Sequence, residues 1–275
     1  MDLSSIKLPS LRKTNERTGS ERVTVFVYAP ARWGKTNLSR SVANPLILAT
    51  ELGDTMGLQT LSDLEIPWIP IDSLEMLFAV AAVLRSGEYQ GYKPSTLVLD
   101  SYTHVGELLL DKIISLKRWD DIWSPAVSKD PRSAYPYVAE KGRQVIKVLM
   151  DLPFDLLILC REGVQEVPQE KGPPIQFFSP ELPGQKLPRE VPGWPDATLH
   201  GIWQGGQRVL VTKTLERSVA GFRLPPTVPV PVLIKPNIGA VIRLVRGEKE
   251  ALHELTLDSN APSKPVQPTL QGVKK

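Results

Sequence analysis

The stretch that most constrains this chain is residues 23–39, VTVFVYAPARWGKTNLS. β-Branched and aromatic residues dominate its opening, Pro, Gly and small residues interrupt, and a helix-compatible run starts at Lys35. It therefore reads as strand, loop, helix. Within it, Ala29-Pro30-Ala31-Arg32-Trp33-Gly34-Lys35-Thr36 matches the phosphate-binding pattern G-x-x-x-x-G-K-[ST] at every fixed position but the first. The spacing has a mechanism: successive backbone N–H groups of the loop, which runs on into Asn37, curl round a β-phosphate at a helix start. Lys35 reaches the β/γ oxygens, the Thr36 hydroxyl ligates Mg²⁺, and Gly34 lets the backbone approach closely. Ala29 is the departure, because the first glycine often takes a left-handed conformation that costs a residue with a Cβ about 1–2 kcal/mol. The plain alternative is a chance Gly-Lys-Thr at an ordinary helix start.

Two later strand ends supply carboxylates. Leu46 to Thr50 (LILAT) reads as a short buried strand followed by Glu51-Leu52-Gly53-Asp54. Residues just past the C-terminal ends of parallel strands line the ligand crevice. Glu51 is thus a candidate to orient the water that attacks a γ-phosphate, against the plain reading of a solvated loop carboxylate. Ser95 to Asp100 (STLVLD) is a second apolar run ending in an acid. Asp100 fits the strand-end carboxylate that holds Mg²⁺ opposite a phosphate loop.

The remaining chain frames these residues. Thr36 to Val42 reads as helix, ended by Asn44-Pro45. Ile66 to Ile71, with two prolines, reads as an edge strand. Ser73 caps a helix that places Met76, Leu77, Val80, Ala81 and Leu84 in the core. Helices are also expected over Thr103 to Leu116 and Tyr137 to Leu152, and a buried strand over Asp155 to Cys160, leaving Arg161 and Glu162 at its end. Lys117 to Pro136 breaks all periodicity and mixes Lys117, Arg118, Lys129 and Arg132 with Trp119 and Trp123. That combination of cations and stacking faces suits single-stranded nucleic acid, while the plain alternative packs the tryptophans on the body. Gly163 to Pro195 is proline-rich and expected to be irregular over most of its length. Ala197 to Gln204 and Gln207 to Thr212 flank Gly205-Gly206 as a hairpin, with Lys213, Arg217 and Arg223 beyond it. Ile238 to Val245 reads as one last short helix.

Composition adds bounds. The 275 residues, 41% hydrophobic and 23% charged, suit a globular chain built around one large domain. Residues 1–20 read as an arm, 21–226 as the core and 227–275 as a proline-rich extension, disordered over most of the part after 258. No apolar run is long enough to cross a bilayer and the N-terminus lacks an apolar signal core, so no membrane partner and a cytoplasmic location are expected, that of the host if the chain is viral. The single Cys160 makes neither an internal disulfide nor a cysteine metal site. A net charge of +3 gives only slight support for a polyanionic partner.

With these pieces in order, the chain resembles the RecA/Rad-type recombinase core, and more closely the short single-domain phage ATPases of the Sak type. The resembling residues are YAPARWGKTNLS, LATELGD, LVLDSYTHV, and RVLVTK followed by RSVAGFRLP, over about residues 21–226. The resemblance implies an α/β, RecA-like P-loop NTPase: a doubly wound, mostly parallel sheet with a C-terminal antiparallel hairpin. It implies ATP and Mg²⁺ as cofactors, with Lys35, Thr36, Glu51 and Asp100 meeting at the strand ends. It also implies a homo-oligomer, ring or filament, in which Lys213 and Arg217 face a neighbour's γ-phosphate. Single-stranded DNA is the implied partner, with a single-strand binding protein as a second one. The expected function is a DNA-dependent ATPase that promotes annealing or strand exchange in phage-type recombination. Two other classes compete: a nucleotide-gated scaffold or helicase loader, and a P-loop kinase of a small molecule, which would need an arginine-bearing lid where residues 163–195 offer only Arg189.

Overall fold

The structure is a computed structural model and describes residues 21–51, 56–117, 134–167, 172, 174–215 and 217–257. Its centre is a sheet in the order β10-β8-β7-β1-β5-β4-β2-β3, with β6 added to β5 and β9 to β7. The strands are β1 (Thr24–Ala29), β2 (Pro45–Ala49), β3 (Trp68–Pro70), β4 (Thr96–Asp100), β5 (Asp155–Val167), β6 (Ile175–Pro180), β7 (Ala197–Gln204), β8 (Gln207–Val211), β9 (Gly221–Phe222) and β10 (Leu233–Ile234). From β7 through β1, β5, β4 and β2 to β3, every neighbouring pair is parallel. The antiparallel part is the β7–β8 hairpin, extended by β10, together with the β5–β6 and β7–β9 pairs. The expected fold class is the observed one.

Alternation in the strands decides which helices cover which face. Phe26, Tyr28, Leu46, Leu48, Leu97, Leu99, Leu156 and Ile158 point to one side. There they meet α2 (Leu74–Leu84), α3 (Tyr102–Lys117), α4 (Ala134–Met150) and the short α5 (Lys186–Glu190). Val25, Val27, Ile47, Val98, Leu157 and Leu159 point to the other, where α6 (Ile238–Val245) and α7 (Ala251–Leu255) pack. Both faces of the central strands are thus apolar, as parallel strands covered on two sides must be. Residues 230–255, in the stretch past residue 226, pack into this second face: Ile238, Ala240 and Val241 are completely buried there. Among the described residues, no helix is long and apolar enough to cross a membrane.

Several boundaries differ from expectation. The helix after the phosphate loop is a 3₁₀ helix over Thr36–Ser41. Its bonds run three residues back, Asn37 N to Gly34 O and Leu38 N to Lys35 O, and the Ser41 hydroxyl binds Leu38 O at 2.7 Å. That side-chain bond offers the backbone an alternative to the α-ladder. Met76 is exposed rather than buried, and the inward position of the first turn of α2 goes to Leu74; Ser73 caps the helix as expected. The proline-rich stretch from Gly163 is not irregular. β5 runs seven residues past Cys160 to pair with β6, whose Ile175, Phe177 and Phe178 suit a pleated surface, and α5 follows. Pro188 is accepted in the first turn of α5, where its missing N–H has no partner to lose. The segments 1–20, 52–55 and 118–133 and the tail from 258 lie outside the described residues.

Candidate nucleotide-binding site

The C-terminal ends of β1, β2 and β4 share one rim of the sheet, and the loop 30–35 crosses it. Ala29 closes β1 as a regular strand residue opposite Arg161, so the expected left-handed cost does not fall on it. Left-handed conformations fall instead on Arg32 (φ 61°) and Gly34 (φ 97°). The missing glycine has a counterpart on the adjoining strand: a Cβ at Gly201 of β7 would stand 2.7 Å from Ala29 Cβ and 2.8 Å from the Trp33 ring. Trp33 itself is buried, and its indole N–H donates to Ile202 O at 2.9 Å. The crest of the loop is thereby fastened to the β7–β8 hairpin.

Lys35 curls back over the loop, its Nζ donating to Ala29 O and Pro30 O at 3.0 Å each. The Thr36 hydroxyl donates to Asp100 Oδ2 at 2.6 Å. That contact joins the loop to a strand separated from β1 by β5. Gly57 packs so near that a Cβ there would stand 3.0 Å from Thr36 Oγ1. Burial pushes the Asp100 carboxyl up, and the charge of Glu51 pushes the same way, against the Thr36 hydrogen bond and Lys35. Burial likewise lowers Lys35, opposed chiefly by Asp100. A phosphate brought to Lys35 and a divalent cation brought to Asp100 would each favour the charged form, so the pair fits a magnesium nucleotide. Among the described residues, no group of three or more His, Cys, Asp or Glu side chains could hold a metal ion. A Thr and an Asp suit Mg²⁺, which takes one or two carboxylates plus substrate phosphates and keeps several waters.

A family model described as an AAA domain matches residues 21–224, well over half of the chain. The chain belongs to the AAA domain family. No curated protein matches it. The match is to a domain of the AAA, P-loop type and points to no narrower class. Its matched span opens just before β1 and ends just past β9, so it contains the loop, Asp100 and the hairpin.

Around that centre the AAA domain arranges residues that sequence reasoning placed and others that it missed. Glu51 lies on the same rim: its Oε1 is 3.4 Å from Ser101 Oγ and 3.2 Å from His104 Nδ1. The opposite edge of the His104 ring faces Glu107 at 3.3 Å, Glu107 pairs with Arg161, and Arg161 pairs with Glu181 of the chain following β6. His104 was missed although it stands four residues past Asp100, in the first turn of α3. Glu162 pairs with buried His200, whose ring stacks on Tyr28 at 4.5 Å and lies 5.9 Å from Phe178. Asn37 accepts from Arg40.

Lys213 and Arg217 lie beyond β8 in the return to β9, where the Arg217 carbonyl accepts from Phe178 N at 2.7 Å. Among the described residues, no hydrogen bond joins either side chain to Lys35, Thr36 or Asp100. Lys117 closes α3, while Arg118, Trp119, Trp123, Lys129 and Arg132 lie outside the described residues. Arg208 is the other residue that was missed. It follows the Gly205-Gly206 turn on β8, and a Cβ at Gly34 would collide with its Nη1.

Proposed function

We propose that this AAA domain binds and hydrolyses ATP with Mg²⁺, oligomerises on single-stranded DNA, and promotes annealing or strand exchange in phage-type recombination. The observation that carries the nucleotide chemistry is the 2.6 Å contact of Thr36 with Asp100, which brings loop and strand-end carboxylate to one point. Support for the RecA-like form of that chemistry comes from a strand order that inserts β5 between β1 and β4, and from the hairpin that closes the sheet. The roles follow from position. Lys35 directs its charge to the β/γ oxygens, and Thr36 and Asp100 hold the cation. Bound Mg²⁺ supplies charge neutralisation at those oxygens. Glu51, held by Ser101 and His104, orients the attacking water and draws on its proton. Lys213 and Arg217 serve a neighbouring subunit's site, a contribution of about 10³–10⁵ in rate in comparable phosphoryl transfers. Single-stranded DNA is the partner on which assembly occurs, and a single-strand binding protein is a second one.

An ATPase assay with and without single-stranded DNA tests this reading. Turnover should rise with DNA, and Glu51→Gln should keep ATP binding while slowing hydrolysis. Turnover indifferent to DNA would favour a kinase, and nucleotide binding without turnover in either condition would favour a scaffold or loader.

A further inference from the structure

Arg208 differs from the arginines that pair with acids. Arg40, Arg143, Arg161, Arg243 and Arg246 each hold a carboxylate. Among the described residues Arg208 holds none, and its guanidinium lies instead against Gly34 in the phosphate loop. Its cross-strand partner is Trp203. Directly opposed residues of an antiparallel pair share a face, with Cβ atoms about 4.5–5.5 Å apart. That face is fixed, because Gly201, two residues before Trp203 and so on the same side, packs on the Trp33 ring at the crest of the loop. Trp203 nevertheless keeps 52% of its surface in solvent, one of the few large apolar side chains here that do. The β7–β8 hairpin therefore carries an unpaired cation over the phosphate loop and an exposed indole beside it. Trp33 Nε1 donates to Ile202 O, the residue before Trp203, and so ties this hairpin to the loop.

We propose that Trp203 and Arg208 form a nucleotide clamp: the indole stacks on the base of the bound nucleotide, and the guanidinium takes a phosphate oxygen at Gly34. The inference rests on the nucleotide-site reading and adds two ligand-contacting residues to it. Stacking on an indole is tolerant of base identity because every base has a π-face, so the clamp favours nucleotides over bare polyphosphate without selecting a base. Both side chains are exposed, so their loss leaves the core intact.

The test is a calorimetric titration of ATP and of inorganic tripolyphosphate, each with magnesium, into the full chain and into Lys35→Ala, Trp203→Ala, Trp203→Phe and Arg208→Ala, with thermal midpoints measured alongside. Trp203→Ala should weaken ATP about tenfold, the scale of one lost stacking contact, and leave tripolyphosphate unchanged, with Trp203→Phe restoring most of the loss. Arg208→Ala should weaken both ligands, and Lys35→Ala should abolish both. If the unaltered chain binds ATP, Lys35→Ala does not, and both hairpin variants bind like the parent, the clamp is overturned while the phosphate-loop reading stands. If the unaltered chain binds neither ligand, both fall. Equal weakening of ATP and tripolyphosphate by Trp203→Ala would overturn the stacking role alone.

Discussion

At the scale of single residues, the site holds charges that the fold alone does not favour. Asp100 is pushed above its ordinary value, first by burial and then by Glu51, with Thr36 and Lys35 opposing. In the folded protein it therefore keeps its proton to a higher pH than in the unfolded chain. As pH rises from the ordinary carboxylate range to the raised value, the unfolded chain releases its proton first and the folded state loses stability; above that window the whole cost is present. Asp100→Asn keeps the shape and removes the charge. In the nucleotide-free protein it should raise the thermal midpoint at pH 7.5, about 2–4 °C for each kcal/mol relieved, and flatten the dependence of the midpoint on acidic pH. Thermal scans from pH 4 to 8 measure both effects. A lower midpoint at pH 7.5 would show that the Thr36 bond and the Lys35 charge outweigh burial.

At the scale of elements, the phosphate loop depends on a hairpin far along the sequence. Trp33 fills the space that Gly201 leaves and binds Ile202 O, so β1, the loop and β7 act as one unit. Trp33→Ala should lower stability by about 3–5 kcal/mol in urea unfolding, the range for a fully buried large aromatic. Trp33→Phe keeps most of the packing and loses the hydrogen bond, leaving the partly buried Ile202 carbonyl without this donor, and should cost about 1–3 kcal/mol. Equal effects of the two would mean that the hydrogen bond, and not the ring, fastens the loop. β5 makes a related point: after its parallel partners end, the same strand runs on as an antiparallel ribbon with β6, so Arg161 and Glu162 stand at the junction of the two.

At the scale of the molecule, the second face of the sheet is completed by residues beyond 226. α6 buries Ile238, Ala240, Val241 and Leu244 there, and Gly239 meets the Ser41 carbonyl of the 3₁₀ helix so closely that a Cβ would collide. Arg246, just past α6, holds buried Asp155 at the start of β5 with two contacts of 2.7 and 2.8 Å, and Asp155 also accepts from Val23 N at 2.9 Å. A chain ending at residue 226 would expose that apolar face and strand a buried carboxylate, a loss in the range of 3–5 kcal/mol from the charge alone. Such a chain should fail to unfold cooperatively and should bind a hydrophobic dye, read by calorimetry and fluorescence. Full-chain stability in the truncated protein would mean that the first-face core suffices.

What the sequence determined by itself is the set of elements whose signals are local. Short continuous runs of β-branched, aromatic and other apolar residues marked β1, β2 and β4; Ser73 marked a cap; Gly205-Gly206, at φ 57° and 78°, marked the turn between β7 and β8. The Gly-Lys-Thr spacing and the acid ending β4 located Lys35, Thr36 and Asp100, because phosphate chemistry needs those groups at fixed offsets along the chain. The tertiary structure decided the rest, for reasons no local pattern carries. That Ala29 is tolerated depends on a glycine on a neighbouring strand, and that Arg208 reaches Gly34 depends on which edge β7 joins. The order of β6 and α5 emerges from a proline-rich stretch only because β5 offers an edge to pair with. Contacts between residues far apart in sequence are set by strand order and register, and those follow from packing both faces of one sheet at once.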